Sequence, residues 1–478
     1  MVLVDYFPAQ TTQPNTERNG AKFLVDYTRN TALFILNTLD RGQKTLDRVL
    51  EEDMSDKEHY LSRRDRALVN ALVYGVLRRR GTLDWIIAYF SNTRLNAIDS
   101  NILNILRLGL FQIIYLDKIP VSAAVNTSVE IAKSFTSPKV VRFVNGVLRS
   151  SAKDYKKVPF PDRNKDPVKA LSTAKSFPEW LIKRWLDYFG LKETEALCDA
   201  VNTIPPITVR TNTLKISRNK LIETLKADVE LIDYTSYSPD GVWFFKPTLP
   251  IPKIKAFEHG WFQVQDEAAQ LVTYLLNPQP GETILDACAG LGGKTGHIAQ
   301  MMKNKGKIVA MDKNDAKLLR YESEMKRLGI SIVQTCIHNL DKPFDKNYIA
   351  EFDRILLDAP CSGLGVLRRN PDIKWLMSKK NLIYYKENQV KFLDNISCLI
   401  KPSGVLVYVV CSTEPEENEE VVKVFLNRHP EFVIEKKPDG LPFNARSLVN
   451  KNGYLKTFPH INNMDGFFSV CLKRKKIS

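Results

Sequence analysis

The sequence predicts a multi-domain protein with an all-α N-terminal domain, a small α+β middle domain and an α/β C-terminal domain on a parallel sheet. Three observations carry this reading. The chain has 478 residues, whereas one ordinary core takes roughly 150. Its first part alternates apolar and basic stretches at helical spacing. Past about residue 266, short apolar runs alternate with helix-compatible segments, which is how crossover-connected parallel strands are written.

Composition narrows the class. With 44% hydrophobic and 26% charged residues, and no apolar run near the roughly 20 residues a bilayer helix needs, membrane spanning is not expected. The N-terminal MVLVDYFPAQTTQPNTERNG lacks the basic stretch, apolar stretch and small-residue cleavage site of a secretory signal. A cytoplasmic protein is expected. Seven cysteines are an odd number, scattered without a C-x-x-C pair, so neither a disulfide framework nor a metal site is expected. A net charge of +15 favours polyanionic partners, because neutralising phosphates releases condensed counterions.

Residues 21–150 contain TRNTALFILNTL, RDRALVNALVYGVLRRR, ILNILRLGLFQIIYL and KVVRFVNGVLRS, whose apolar spacing suits amphipathic helices in a bundle. Arg63, Arg64, Arg66, Arg78, Arg79 and Arg80 form a basic cluster there, either a grip on an RNA backbone or a solvated face. Residues 151–175 are polar, basic and proline-bearing and read as a linker. From 176 to 265 a helical stretch, FPEWLIKRWLDYFG, precedes mixed strand and loop patterns, which makes the small α+β domain. From 266 to 478 the expected strands are TILDAC, KIVAMD, SIVQTC, DRILLDA and GVLVYVVC.

The segment from Asp286 to Thr295, DACAGLGGKT, leaves the first of these strands and opens a helix. Gly290, Gly292 and Gly293 allow a tight turn in which backbone approaches a ligand. Asp312 ends the next strand, where a carboxylate accepts hydrogen bonds from ribose hydroxyls, and Asn339, after the third, could meet adenine. A phosphate-binding loop would need glycine where Cys288 stands. A zwitterionic nucleoside therefore fits better than a triphosphate.

The fourth strand runs into Asp358-Ala-Pro-Cys361-Ser and the fifth into Val410-Cys411-Ser. Ligands of open parallel sheets bind beyond the carboxyl ends of the strands, so two thiols and a carboxylate are expected at one pocket mouth. Carbon 5 of cytosine is a poor nucleophile until a thiolate adds at carbon 6, and a pair of thiols beside a nucleoside site suits that chemistry. Asp358 would stabilise the adduct through the N3 and N4 edge of the ring. A thiolate attacker needs nearby positive charge, for which Lys294, Arg368 and Arg369 are candidates.

At these residues the chain resembles the RsmB/Nop2/Sun family of RNA cytosine-5 methyltransferases, through SFPEWLIKRW, FQVQDEAAQLV, DACAGLGGKT, LLDAPCSGLGVLRRNPDIKW, VCSTEPEENEEVV and DGFFSVCLKR. Residues 21–150 separately resemble the helical RNA-binding module of the antitermination factor NusB, clearest in RALVNALVYGVLRRRGTLDWII. That pairing is similar to the bacterial enzymes that modify small-subunit (16S) ribosomal RNA. The resemblance implies S-adenosyl-L-methionine as methyl donor, RNA as partner and a monomer. It implies Cys411 as nucleophile and Cys361 as the cysteine that aids release, with Asp358 beside them. Cys288, Ala289, Gly290, Leu291, Gly292, Gly293, Lys294, Asp312, Asn339 and Asp358 would line the cofactor pocket. It further implies a Rossmann-like class I methyltransferase sheet with an antiparallel last strand, and an RRM-like middle domain.

Four positions depart from the family pattern. Gly290 and Leu291 replace an alanine and a proline of the loop, Val410 replaces the threonine before the nucleophile, and Asn339 stands where aspartate is frequent. A transfer RNA substrate and an idle, purely RNA-binding assembly factor are the competing readings. Amino-group methylation is disfavoured, since Asp358-Ala-Pro-Cys361 brings a thiol where those enzymes carry an aromatic ring.

Overall fold

The computed structural model describes residues 26–476 except 43, 56–60 and 345–350. The described chain divides into two compact units: residues up to Asn202 together with Asn370–Leu376, and Thr203–Arg369 together with Met377 onward. Among the described residues, no helix is long and apolar enough to cross a membrane.

The first unit is all-helical, with helices at Tyr27–Asp40, Leu46–Ser55, Arg63–Ser91, Ser100–Tyr115, Val121–Phe135, Pro138–Asp154, Pro167–Lys175 and Glu179–Asn202. The longest, Arg63–Ser91, starts at a capping box in which Ser62 and Asp65 satisfy each other's backbone N–H. Its buried side chains, Val69, Leu72, Val73, Val76, Leu77, Leu83, Ile86 and Ile87, recur at three- and four-residue steps and face one core. Gly75 lets Phe111 lie against this helix; a Cβ there would fall 1.9 Å from the ring. Arg107 is buried by charge pairing, its fork meeting both oxygens of Asp84 at 2.6 and 2.8 Å.

The six arginines do not form one patch. Arg78 lies fifteen residue steps along the helix from Arg63, about 22 Å at roughly 1.5 Å per step. Arg63 and Arg64 are exposed, while Arg78 and Arg79 lie over the rings of Tyr74 and Tyr115. Arg80 donates to Asp40 at 2.9 Å and covers Trp375.

Residues 167–175, inside the stretch that reads as a linker, form a helix. Pro167 opens it with its φ already helical, and Asp166 caps it by accepting from Lys169 N at 2.9 Å. Thr82 Oγ1 donates to Thr173 O at 2.8 Å, so the stretch is fastened to the long helix. The helix Glu179–Asn202, kinked at Gly190 (φ 73°), also lies in this unit. The strands expected after that helical stretch start at Ile207. Asn370–Leu376 joins the same unit through buried polar groups. Asp372 accepts from Leu46 N at 3.0 Å, Lys374 Nζ donates to Arg78 O at 3.1 Å, and Trp375 Nε1 donates to Leu77 O at 2.8 Å.

The second unit contains two sheets. In the smaller, β1 (Ile207–Thr211), β2 (Leu231–Tyr234), β3 (Gly241–Phe245) and β4 (Phe262–Val264) pair antiparallel in the order β2-β3-β1-β4. The larger, eight-stranded among the described residues, holds β5 (Thr283–Asp286), β6 (Lys307–Asp312), β7 (Val333–Ile337), β8 (Phe352–Asp358), β9 (Ile400–Val410), β10 (Phe432–Ile434), β11 (Tyr454–Lys456) and β12 (Phe468–Arg474). The order is β10-β12-β9-β8-β5-β6-β7, with β11 also on β12. Strands β5 to β9 run parallel, and β12 enters antiparallel beside β9. Their central residues pack into a core on each face, which is why these segments read as continuous apolar runs.

Candidate active site

The parallel strands bring their chemistry-bearing ends to one edge. Asp286 is level with Leu356 on one side and Ala310 on the other, and Asp358 pairs with Val409. Cys361 therefore lies three residues beyond the last residue of β8 and Cys411 one beyond that of β9.

The glycine-rich turn starts at the end of β5 and is stitched to both neighbouring strands. Ala287 N donates to Leu356 O at 2.9 Å and Ala289 N to Met311 O at 2.8 Å. Gly290 (φ 55°) and Gly292 (φ 81°) hold left-handed conformations. At Gly292 a Cβ would also fall 2.6 Å from the Tyr321 ring, whereas Gly290 and Gly293 border open space. The helix Gly293–Met301 follows, and Leu291 at the tip is exposed. From the small sheet, fully buried Arg210 reaches the turn and donates to Gly293 O at 2.8 Å. Burial lowers its pKa to about 10, and Gln263 and Gln300 accept its other N–H groups.

Three carboxylates surround this turn. Asp312 accepts from Gly290 N at 3.1 Å and Asn314 N at 3.0 Å. Buried Asp286 accepts from Thr295 Oγ1 at 2.6 Å, and burial pushes its pKa up to about 6. Asp358 accepts from Lys294 Nζ at 2.6 Å. Burial and the charges of Asp358, Asp286 and Asp312 push the Cys288 thiol well above its ordinary pKa, so it stays neutral. Burial works against the Lys294 charge, but Asp358 more than offsets it and holds the ammonium above the usual lysine pKa. Asn339, two residues past β7, turns its Oδ1 to Asp341 N at 3.1 Å. An acidic mouth with exposed backbone suits a ribose carrying a cationic group.

The two thiols meet. Cys361 Sγ and Cys411 Sγ are 3.1 Å apart. The Cys411 sulfur beside it, followed by burial, lifts the Cys361 thiol well above the ordinary range, so Cys361 keeps its proton, and at this distance either sulfur can donate to the other. Of the three cations expected near the attacker, Lys294 is the one whose charge Cys411 reinforces. Arg369 instead bridges Asp465 and Asp266, both at 2.8 Å, and Arg368 donates to Asn463 and lies 3.7 Å from Asp465. Those carboxylates are buried, so the two guanidiniums neutralise them and build the scaffold. Gly365 N donates to Cys411 O at 2.9 Å, and Gly466 N donates to Gly365 O at 2.8 Å, which closes the loop after β8 over the end of β9. The remaining cysteines, Cys198, Cys336, Cys398 and Cys471, are free thiols elsewhere.

Sequence reasoning missed Asp286 as a site carboxylate and Glu417 altogether. Asp286 was signalled by its position one residue before the turn. Glu417 hides in the acidic run EPEENEE, which reads as solvated, yet it is fully buried between the two cysteine loops.

The chain is similar to known proteins in each of its parts. Residues 273–473 match the model "16S rRNA methyltransferase RsmB/F", residues 27–153 match the NusB family, and residues 177–249 match the ferredoxin-like domain of RsmF/B-like methyltransferases. The chain is 37% identical over 453 residues to the "Probable ribosomal RNA small subunit methyltransferase B" of Bacillus subtilis (strain 168), covering 94% of this chain and 98% of that one. It is 31% identical over 452 residues to the ribosomal RNA small subunit methyltransferase B of Cronobacter sakazakii, covering 92% and 99%. Among solved structures it is similar to PH0851, with TM-score 0.77, 27% identity and coverage of 94% and 99%. NSun6 from Pyrococcus horikoshii, solved with SFG, aligns with TM-score 0.55, 26% identity and coverage of 63% and 100%. With paired thiols on one sheet edge of an α/β domain that follows a helical NusB domain in the chain, the protein belongs to the RsmB family of small-subunit ribosomal RNA methyltransferases.

Proposed function

We propose that this protein methylates carbon 5 of one cytosine in 16S ribosomal RNA, using S-adenosyl-L-methionine and a covalent bond between Cys411 and carbon 6 of the base. The observation that carries this reading is the 3.1 Å approach of the Cys361 and Cys411 sulfurs beside the Lys294–Asp358 pair. Bound S-adenosyl-L-methionine supplies an electrophilic methyl on a sulfonium, and Asp286, Asp312 and Asp358 give that cation a favourable field. Cys288 through Lys294, Asp312, Asn339 and Asp358 would hold it, with the Asp312 carboxylate available to accept from ribose hydroxyls.

Cys411 adds as thiolate to carbon 6, which makes carbon 5 nucleophilic. Lys294 balances charge beside the attacking sulfur. Asp358, steadied by Lys294, accepts from the N4 amino group and from N3, which takes up a proton from solvent as the thiolate adds. Solvent water then takes the proton of carbon 5 and N3 returns its proton to solvent, while the carbon–sulfur bond breaks with its electron pair going to sulfur and the Cys361 S–H donates to the departing Cys411 thiolate. A stacked base hides its ring face, so the target cytosine is unpaired or flipped out, and the enzyme acts as a monomer on a loop or an incompletely folded RNA.

The test is transfer of labelled methyl to 16S ribosomal RNA, with the product cytosine mapped by bisulfite sequencing. The Cys411→Ala variant is expected to transfer none, and normal transfer by that variant refutes the covalent reading.

A further inference from the structure

Strand pairing does not reach the two thiols. The β8–β9 ladder ends at Asp358 and Val409, apart from one further bond, Ala359 N to Val409 O at 3.0 Å. The cysteines sit in loops beyond it, and loops diverge unless something fastens them. The residue after each cysteine is a serine, Ser362 and Ser412, and both are buried. Both hydroxyls donate to the same atom, Oε2 of Glu417, and they lie 3.3 Å from each other.

The other oxygen is engaged as well. Glu417 Oε1 accepts from Ser362 N at 2.8 Å and from Gln389 Nε2 at 3.1 Å. The same Gln389 nitrogen donates to Pro360 O at 3.0 Å, on the other side of Cys361. The Glu417 carbonyl accepts from Tyr408 OH at 2.6 Å, which ties it to β9. Burying a carboxylate is costly unless donors surround it, and here the donors come from both cysteine loops.

We infer that Glu417 is a positioning residue for the two thiols: by gathering the hydroxyls of Ser362 and Ser412 it holds the sulfurs of Cys361 and Cys411 within reach of each other. This rests on the covalent reading for its meaning in catalysis, but the distance it sets can be measured without RNA or methyl donor. Glu417 touches neither sulfur and takes no part in the chemistry.

The experiment treats the full-length protein with diamide, which takes the two thiol hydrogens, becomes the hydrazine and leaves a Cys361–Cys411 disulfide, quantified by mass spectrometry of unreduced peptides. The wild type is expected to close rapidly. Glu417→Ala is expected to close about tenfold more slowly and to lose about a hundredfold in kcat with little change in KM. Glu417→Gln should restore most of both. Its amide oxygen can take the place of Oε1, and its two N–H groups can donate to the serine hydroxyls, which turn to accept. Wild-type closure in Glu417→Ala, no closure in the wild type, or no rescue by glutamine overturns the inference. If Glu417→Ala does not fold, the double variant Ser362→Ala/Ser412→Ala decides: slowed closure supports the role and unchanged closure overturns it. A failure of the covalent reading would appear instead as methylation by Cys411→Ala, whatever the rate of closure.

Discussion

Lys294 Nζ donates to Asp358 Oδ2 at 2.6 Å, joining the glycine-rich turn after β5 to the end of β8. The pair sits where three carboxylates converge on Cys288. Lys294→Met removes the cation and leaves that negative charge unbalanced. We expect kcat/KM to fall about ten- to a hundredfold, as for loss of a charged hydrogen bond, measured by labelled-methyl transfer. Unchanged kcat/KM would show that the ammonium has no part in the reaction.

Cys361 keeps its proton beside the Cys411 sulfur. Cys361→Ser replaces it with a poorer partner for a leaving thiolate. The variant is expected to accumulate a protein–RNA adduct that survives a denaturing gel, while Cys411→Ala shows none. Free RNA in both lanes would contradict the division of roles.

Gly365 lies where no side chain fits. A Cβ there would fall 1.8 Å from Gly466 O and 2.9 Å from Cys411 O. In Gly365→Ala the loop after β8 must move away from β9, and overpacking of this kind costs about 1–3 kcal/mol. Thermal unfolding should show the loss, and methylation should fall with it. Full stability together with full activity would mean that the loop relaxes freely.

His297, on the helix after the turn, is fully buried, with Nε2 3.6 Å from Asp240 and its ring edge-on to Tyr274. Burial, helped by the nearby Arg210 charge, lowers its pKa from 6.5 to about 4. Between those values the unfolded chain takes up a proton that the folded protein refuses. Stability is therefore lost as pH falls from about 6.5 to about 4, by up to about 3 kcal/mol. Urea unfolding across this range should show a shallower pH dependence for His297→Gln than for the wild type. Parallel curves would place the acid sensitivity elsewhere.

The parts of this protein set by local pattern were legible in its sequence. Helical spacing in Arg63–Ser91, apolar runs at β5, β6, β8 and β9, and glycines at 290 and 292 act within a few residues of themselves, so periodicity and backbone freedom reveal them. Because parallel strands present their carboxyl ends on one edge, the same pattern also located Asp312, Asp358, Cys361 and Cys411 together.

Tertiary structure alone decided the partners. Nothing near Glu417 in the chain says that an acid in EPEENEE will be buried under Ser362, fifty-five residues away. Nothing near Arg369 says that Asp266 and Asp465 will claim it and leave Lys294 as the cation that Cys411 reinforces. Nor does the composition of Asn370–Leu376 reveal that its Lys374 will be buried against Phe177 and Arg78 in the helical unit. The reason is physical: a charge's burial depends on which donors surround it once strands are in register, and those donors come from distant segments of the chain.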